Sequence, residues 1–84
     1  MSQNLAITWR DESPSLHAAY ITTVQGQEIY AGYVAVSPGY DDWRGYVGRG
    51  FIPVGLGPRA VMQRLVEQHT RDIWARGEDL HHAS

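Results

Sequence analysis

The chain has 84 residues, a formal net charge of −2 and 43% hydrophobic residues, which fits one small folded domain and argues against wholesale disorder. With no cysteine there is neither a disulfide framework nor a thiolate site. No apolar run approaches the roughly 18 residues of a membrane helix and the N-terminus lacks a signal-peptide pattern, so a cytoplasmic location is expected.

Asn4 to Arg10 alternates, with Leu5, Ile7 and Trp9 on one side, and predicts a half-buried strand. Residues 11–15 (Asp-Glu-Ser-Pro-Ser) read as a turn. Leu16 to Val24 is rich in Tyr, Ile, Thr and Val and predicts a second strand. After a short Gln-Gly-Gln link, Glu28 to Val36 predicts a third. Residues 37–42 (Ser-Pro-Gly-Tyr-Asp-Asp) form the clearest loop, and Trp43 to Val47 a fourth strand. Phe51 to Gly57 is expected to be an extended connector, because Pro53 opposes a central strand. Leu80 to Ser84, and the tail from Asp79 on, are expected to fray.

Pro58 to Arg76 carries the one long helical pattern. Proline suits the first helical position, and Gly77 suits the residue that ends the helix. At about 100° per residue, Val61, Met62, Leu65, Val66, His69 and Ile73 share one side, and Gln63, Glu67, Thr70 and Arg71 the other. Trp74 falls about 150° from the centre of that stripe. The pattern predicts that Trp74→Ala costs under about 1 kcal/mol but weakens association. The expected fold is α+β: a four-stranded antiparallel meander with the helix packed on its apolar face. Ala31, Gly32 and Ala35 would let the helix approach closely, leaving several partly exposed tyrosines on the opposite face.

Candidate sites compete with simpler roles. His81 and His82, with Glu78 and Asp79, carry metal-ligand chemistry, but in an expected loose tail, so no metal is expected there. His69 reads as a boundary histidine without an orienting partner. Gly55-Leu56-Gly57-Pro58-Arg59 precedes a helix N-terminus, where anions are favoured. It completes no phosphate-binding motif and reads as a tight connection. No serine sits in a nucleophile elbow, and the pairs Asp11-Glu12 and Asp41-Asp42 lie in expected turns. No catalytic residue and no cofactor are therefore expected, and the chain reads as non-enzymatic.

Two binding readings remain. Tyrosines on a sheet can stack unpaired bases. Residues 44–47 (Arg-Gly-Tyr-Val) and 49–52 (Arg-Gly-Phe-Ile) each carry a fragment of an RNA-recognition pattern without completing it. Strands followed by Gly55, Gly57, Arg59, Ala60 and a C-terminal helix resemble the end of a double-stranded-RNA-binding domain. The chain lacks that family's leading helix and its lysines; all seven of its basic residues are arginines, scattered along the sequence as a GC-rich coding sequence would leave them.

The favoured reading is protein binding, either to a partner protein or by self-association. Tyr40, Asp41, Asp42, Trp43, Arg44 and Tyr46 gather in or beside one loop, and Trp74 points off the helix. Tyr, Trp and Arg dominate binding hot spots. Trp9 and Trp43 fit equally well as core. A short meander closed by one C-terminal helix also resembles small phage- or prophage-encoded proteins, anti-CRISPR inhibitors among them. That resemblance implies a cofactor-free protein acting by occupying the surface of a host complex.

Overall fold

The computed structural model describes residues 6–48 and 52–75. Five strands follow one another: β1 (Ala6–Ser13), β2 (Leu16–Thr22), β3 (Glu28–Val36), β4 (Trp43–Val47) and β5 (Ile52–Gly57). They form one antiparallel sheet in chain order, and the helix α1 (Arg59–Ala75) packs on β3, β4 and β5. The α+β meander with its C-terminal helix is thus as the sequence predicts. The expected end of the helix at Arg76 and Gly77, the start of β1 at Asn4 and Leu5, and the terminal histidines lie outside the described residues.

Three departures have physical causes. The expected connector after Phe51 is a fifth strand. Pro53 is tolerated because β5 is an edge strand, where a missing N–H breaks no outer ladder. β1 runs three residues beyond Arg10, into the expected turn, because a bulge at Glu12 absorbs the irregularity: Asp11 pairs with His17 and Ser13 with Leu16. In β3 a second bulge breaks the strict alternation. Ala19 pairs with Gly32 but Tyr20 with Tyr30, so Ala31 is extra. Ile29 and Val34, of opposite parity in sequence, therefore reach the same helix-covered side.

The core lies between that side and the helix: Ala19, Ile21, Ala31, Val34 and Val47 from the sheet, and Met62, Val66 and Ile73 from α1. Ile7 and Trp9 pack against it, as their alternation predicts. The helix sits close because Gly32 and Gly45 leave room. A methyl group at Gly45 would lie 3.1 Å from Val66 Cγ2, and one at Gly32 would lie 3.1 Å from Val66 Cγ1.

The helix is turned relative to the sequence expectation. Its buried line is Met62, Val66, Thr70 and Ile73, rotated by about 60° from the predicted stripe. Val61 and His69 are exposed, whereas Thr70 is fully buried. Trp74, expected to project away, is half-buried and packs against the core. Contacts from the sheet decide this rotation. The Trp9 indole N–H donates to Glu67 Oε2 at 2.7 Å, drawing the predicted outer side of the helix toward β1.

Candidate binding face

One side of the sheet carries the helix. The strand register brings three rows together on the other. Leu16, Ala35, Arg44 and Leu56 are cross-strand partners across β2 to β5. Next comes the row Arg10, Ala18, Tyr33, Tyr46 and Pro53. The third row sets Thr8 beside Tyr20 and Tyr20 beside Tyr30.

Four tyrosines from three strands thus form a continuous surface. The Tyr33 and Tyr46 rings stack with centroids 4.9 Å apart and planes inclined by 25°. Tyr20 and Tyr30 meet edge to face at 6.0 Å. Such pairs add about 0.5–1.5 kcal/mol beyond the area they bury. The Arg10 guanidinium lies 4.6 Å from the Tyr20 centroid and is also paired with the Glu28 carboxylate.

Burial, with the neighbouring Tyr33 and Tyr20 hydroxyls, pushes the Tyr30 phenol up to about 12. Burial and Tyr46 likewise raise Tyr33. Both hydroxyls therefore remain protonated, able to donate and to accept hydrogen bonds, throughout the neutral range.

Two open hollows flank Tyr33. The larger, about 560 Å³, is lined by Tyr33, Ala35, Tyr40, Asp42, Arg44, Tyr46 and Leu56 among others. The smaller, about 390 Å³, is lined by Glu12, Leu16, Ala18, Tyr20, Tyr30 and Tyr33. Tyr40 reaches the rim from a turn in which its N–H donates to the Ser37 carbonyl at 3.0 Å, with Gly39 at φ 84°. It is 71% exposed.

Of the residues the sequence singles out, Tyr40, Asp42, Arg44 and Tyr46 meet in the larger hollow. Asp41 is exposed in the same loop but does not line it. Alternation along β4 sends Trp43 to the helix side, where it packs against the core. Trp74 lies in the helix layer, so neither tryptophan shares the tyrosine face. Sequence reasoning expected partly exposed tyrosines on the face opposite the helix, but not which ones, and it missed Glu12, Leu16 and Leu56 beside them. Their juxtaposition depends on register, and the bulges at Glu12, Ala31 and Val54 erase the simple parity that would have revealed it.

A second polar cluster joins the sheet to the start of α1. Buried His17 has its Nδ1 2.5 Å from Asp11 Oδ1. Its Nε2 lies 3.3 Å from an Arg59 guanidinium nitrogen, and its ring is 5.3 Å from Trp43. Arginine can only donate, so Nε2 accepts and Nδ1–H donates to Asp11. This chain of bonds clamps β1, β2 and α1 together. The ring nitrogen that a general base would use already faces Arg59, and the Ser13 and Ser15 hydroxyls are 3.3 Å from each other.

Among the described residues no three His, Cys, Asp or Glu side chains are grouped to hold a metal ion, and no helix is long and apolar enough to cross a membrane. The paired histidines at 81 and 82 lie outside those residues. No family model matches the chain, and no curated protein or solved structure matches it either.

Proposed function

We propose that this chain is a non-enzymatic protein-binding module that works through the tyrosine-lined face of its sheet. The observation that carries this reading is a face that no element among the described residues covers: it holds stacked and edge-on tyrosines, Leu16 and Leu56 among them, and Arg44 without an ion pair among the described residues. Large apolar patches rimmed by polar groups mark interaction surfaces, and tyrosine and arginine supply most of the energy at their centres. An occlusive inhibitor of a host complex, the kind of protein the outline resembles, would use the same face. Genomic neighbourhood beside defence or phage genes is the observation that bears on that narrower reading.

Affinity capture tests the proposal. The folded wild-type chain is compared with Tyr33→Ser and Tyr46→Ser, each shown to fold by circular dichroism. Wild type should retain a protein in stoichiometric amount, a second copy of itself included, and both variants should lose it. Equal retention by all three would place the binding surface elsewhere.

Binding to single-stranded nucleic acid is the second reading, and the Tyr33–Tyr46 stack favours it, since such pairs offer a platform for bases. The charge on the same face opposes it. Glu12 and Asp42 line the hollows, and Arg10 is already paired with Glu28. Retention of single-stranded oligonucleotides that falls steeply with salt would favour this reading over the first.

A further inference from the structure

We propose that the occupant of the tyrosine face is a second copy of this chain, packed sheet to sheet about a two-fold axis that runs along the strands between β2 and β3. The proposal rests on reading that face as a protein-binding surface, and it adds which protein covers it. Such an axis exchanges β2 with β3 and β1 with β4 while keeping each row at its own level. The cross-strand register then fixes what meets what.

In the first row Leu16 comes to lie over Ala35 of the second copy, and Ala35 over its Leu16. In the next row Tyr33 lies over the second copy's Ala18, and Ala18 over its Tyr33. Each large side chain meets a small one, which lets two sheets interdigitate at the usual spacing of about 10 Å. Tyr20 meets Tyr30, the pair that already associates edge to face within one chain.

The charges agree with the same axis. Glu12 belongs to β1 and Arg44 to β4. Within one chain they stand three strand spacings apart, about 14 Å, beyond the reach of an ion pair. Neither has an ion-pair partner among the described residues. Exchange of β1 with β4 brings Glu12 over Arg44 and Arg44 over Glu12, two ion pairs between the copies. A two-fold running across the strands would instead set each strand over its own copy and Arg10 over Arg10, with like charges opposed. Self-complementarity therefore selects one orientation.

Area and need point the same way. The four strands that overlap, β1 to β4, about 4.8 Å apart, and three rows about 7 Å apart give a face roughly 20 Å on a side. Its corrugated accessible area is on the order of the 800 Å² per partner of a standard interface. A chain of this length buries only about 60% of the surface it exposes when unfolded, and α1 covers one side of the sheet alone. Packing a second sheet on the other side adds a second core.

A charge exchange tests the geometry. Sedimentation equilibrium is measured at low salt from about 1 µM to about 1 mM, a range that brackets weak and moderate dimers. The samples are wild type, Glu12→Arg, Arg44→Glu, and an equal mixture of the two variants. Both positions are exposed, and circular dichroism confirms that the variants fold. Wild type should dimerise. Each variant alone opposes like charges twice and should dimerise at least about tenfold more weakly. The mixture restores both opposite-charge pairs and should recover dimers containing one copy of each.

A wild-type chain monomeric across the range overturns the proposal, as does a dimer that neither variant weakens. The two readings fail differently. A monomer that retains a foreign protein, lost on Tyr33→Ser, overturns the second copy but leaves the face a protein-binding surface. A monomer with no Tyr33-dependent capture overturns both.

Discussion

Substituting the glycines beneath the helix tests how closely the two layers meet. A Cβ added at Gly32 would lie 2.3 Å from the Tyr46 carbonyl oxygen on β4. That is about 1 Å inside the closest usual C···O approach of roughly 3.3 Å. The obstacle is backbone, so relief requires opening the β3–β4 pairing. A Cβ at Gly45 would instead lie 2.8 Å from Val54 Cγ2 and 3.1 Å from Val66 Cγ2, the ends of side chains.

Overpacking costs about 1–3 kcal/mol and more where the backbone must move. Replacing glycine within a strand returns about 0.5–1 kcal/mol of chain entropy. Gly32→Ala should therefore cost about 3 kcal/mol and Gly45→Ala about 1–2 kcal/mol. For a domain of this size the first corresponds to a Tm lowered by about 12–24 °C. Removing the Val54 methyls, which obstruct only Gly45, should separate the two cases. In a Val54→Ala background the cost of Gly45→Ala should fall by about 1 kcal/mol, while that of Gly32→Ala should persist.

Urea denaturation at one protein concentration measures all six proteins, because any self-association makes stability depend on concentration. Gly32→Ala within about 0.5 kcal/mol of wild type would refute the close approach. Equal coupling of both glycines to Val54 would refute the distinction between backbone and side-chain obstacles.

Thr70 is fully buried, and its hydroxyl has no hydrogen-bond partner among the described residues. Thr70→Val removes that unsatisfied group with little change of shape and should stabilise the fold by about 1 kcal/mol; destabilisation would reveal an unseen partner. Trp74→Ala should cost about 2 kcal/mol, more than its place on the helical wheel suggests, because the ring packs against the core. A urea midpoint unchanged from wild type would contradict that packing. Tyr30 ionises near pH 12 in the fold against about 10 unfolded. A raised pKa favours the neutral phenol, so its stabilising contribution is complete below pH 10 and lost as pH rises toward 12. Spectrophotometric titration of wild type against Tyr30→Phe should show one phenolate fewer appearing late; loss of an early-titrating tyrosine would refute the burial.

Much of the layer architecture is legible in the chain because it depends on local signals. The alternation of Ile7 and Trp9, the boundaries of β3 and β4, and the proline before α1 each act over a few residues. Their periods of 2 and 3.6 state which elements form. The rotation of α1 is different. Thr70 looks polar and Val61 apolar, but burial followed the clefts at Gly32 and Gly45 and the bond from Trp9 to Glu67. Those partners lie far away along the chain, and no helical wheel contains them. β5 is hidden in the same way, because Pro53 forbids a central strand but not an edge one, and only the sheet decides which it is.

The candidate site divides along the same line. Tyr40, Asp42, Arg44 and Tyr46 are near neighbours in sequence, and the turn before β4 holds them together whatever the rest of the chain does. The face they belong to was decided by register. Two bulges, one at Glu12 and one at Ala31, choose which tyrosines turn from the helix and which charges sit in the hollows beside them. A single inserted residue reverses the facing of everything beyond it, so composition supplies the tyrosines and tertiary pairing alone gathers them into a surface.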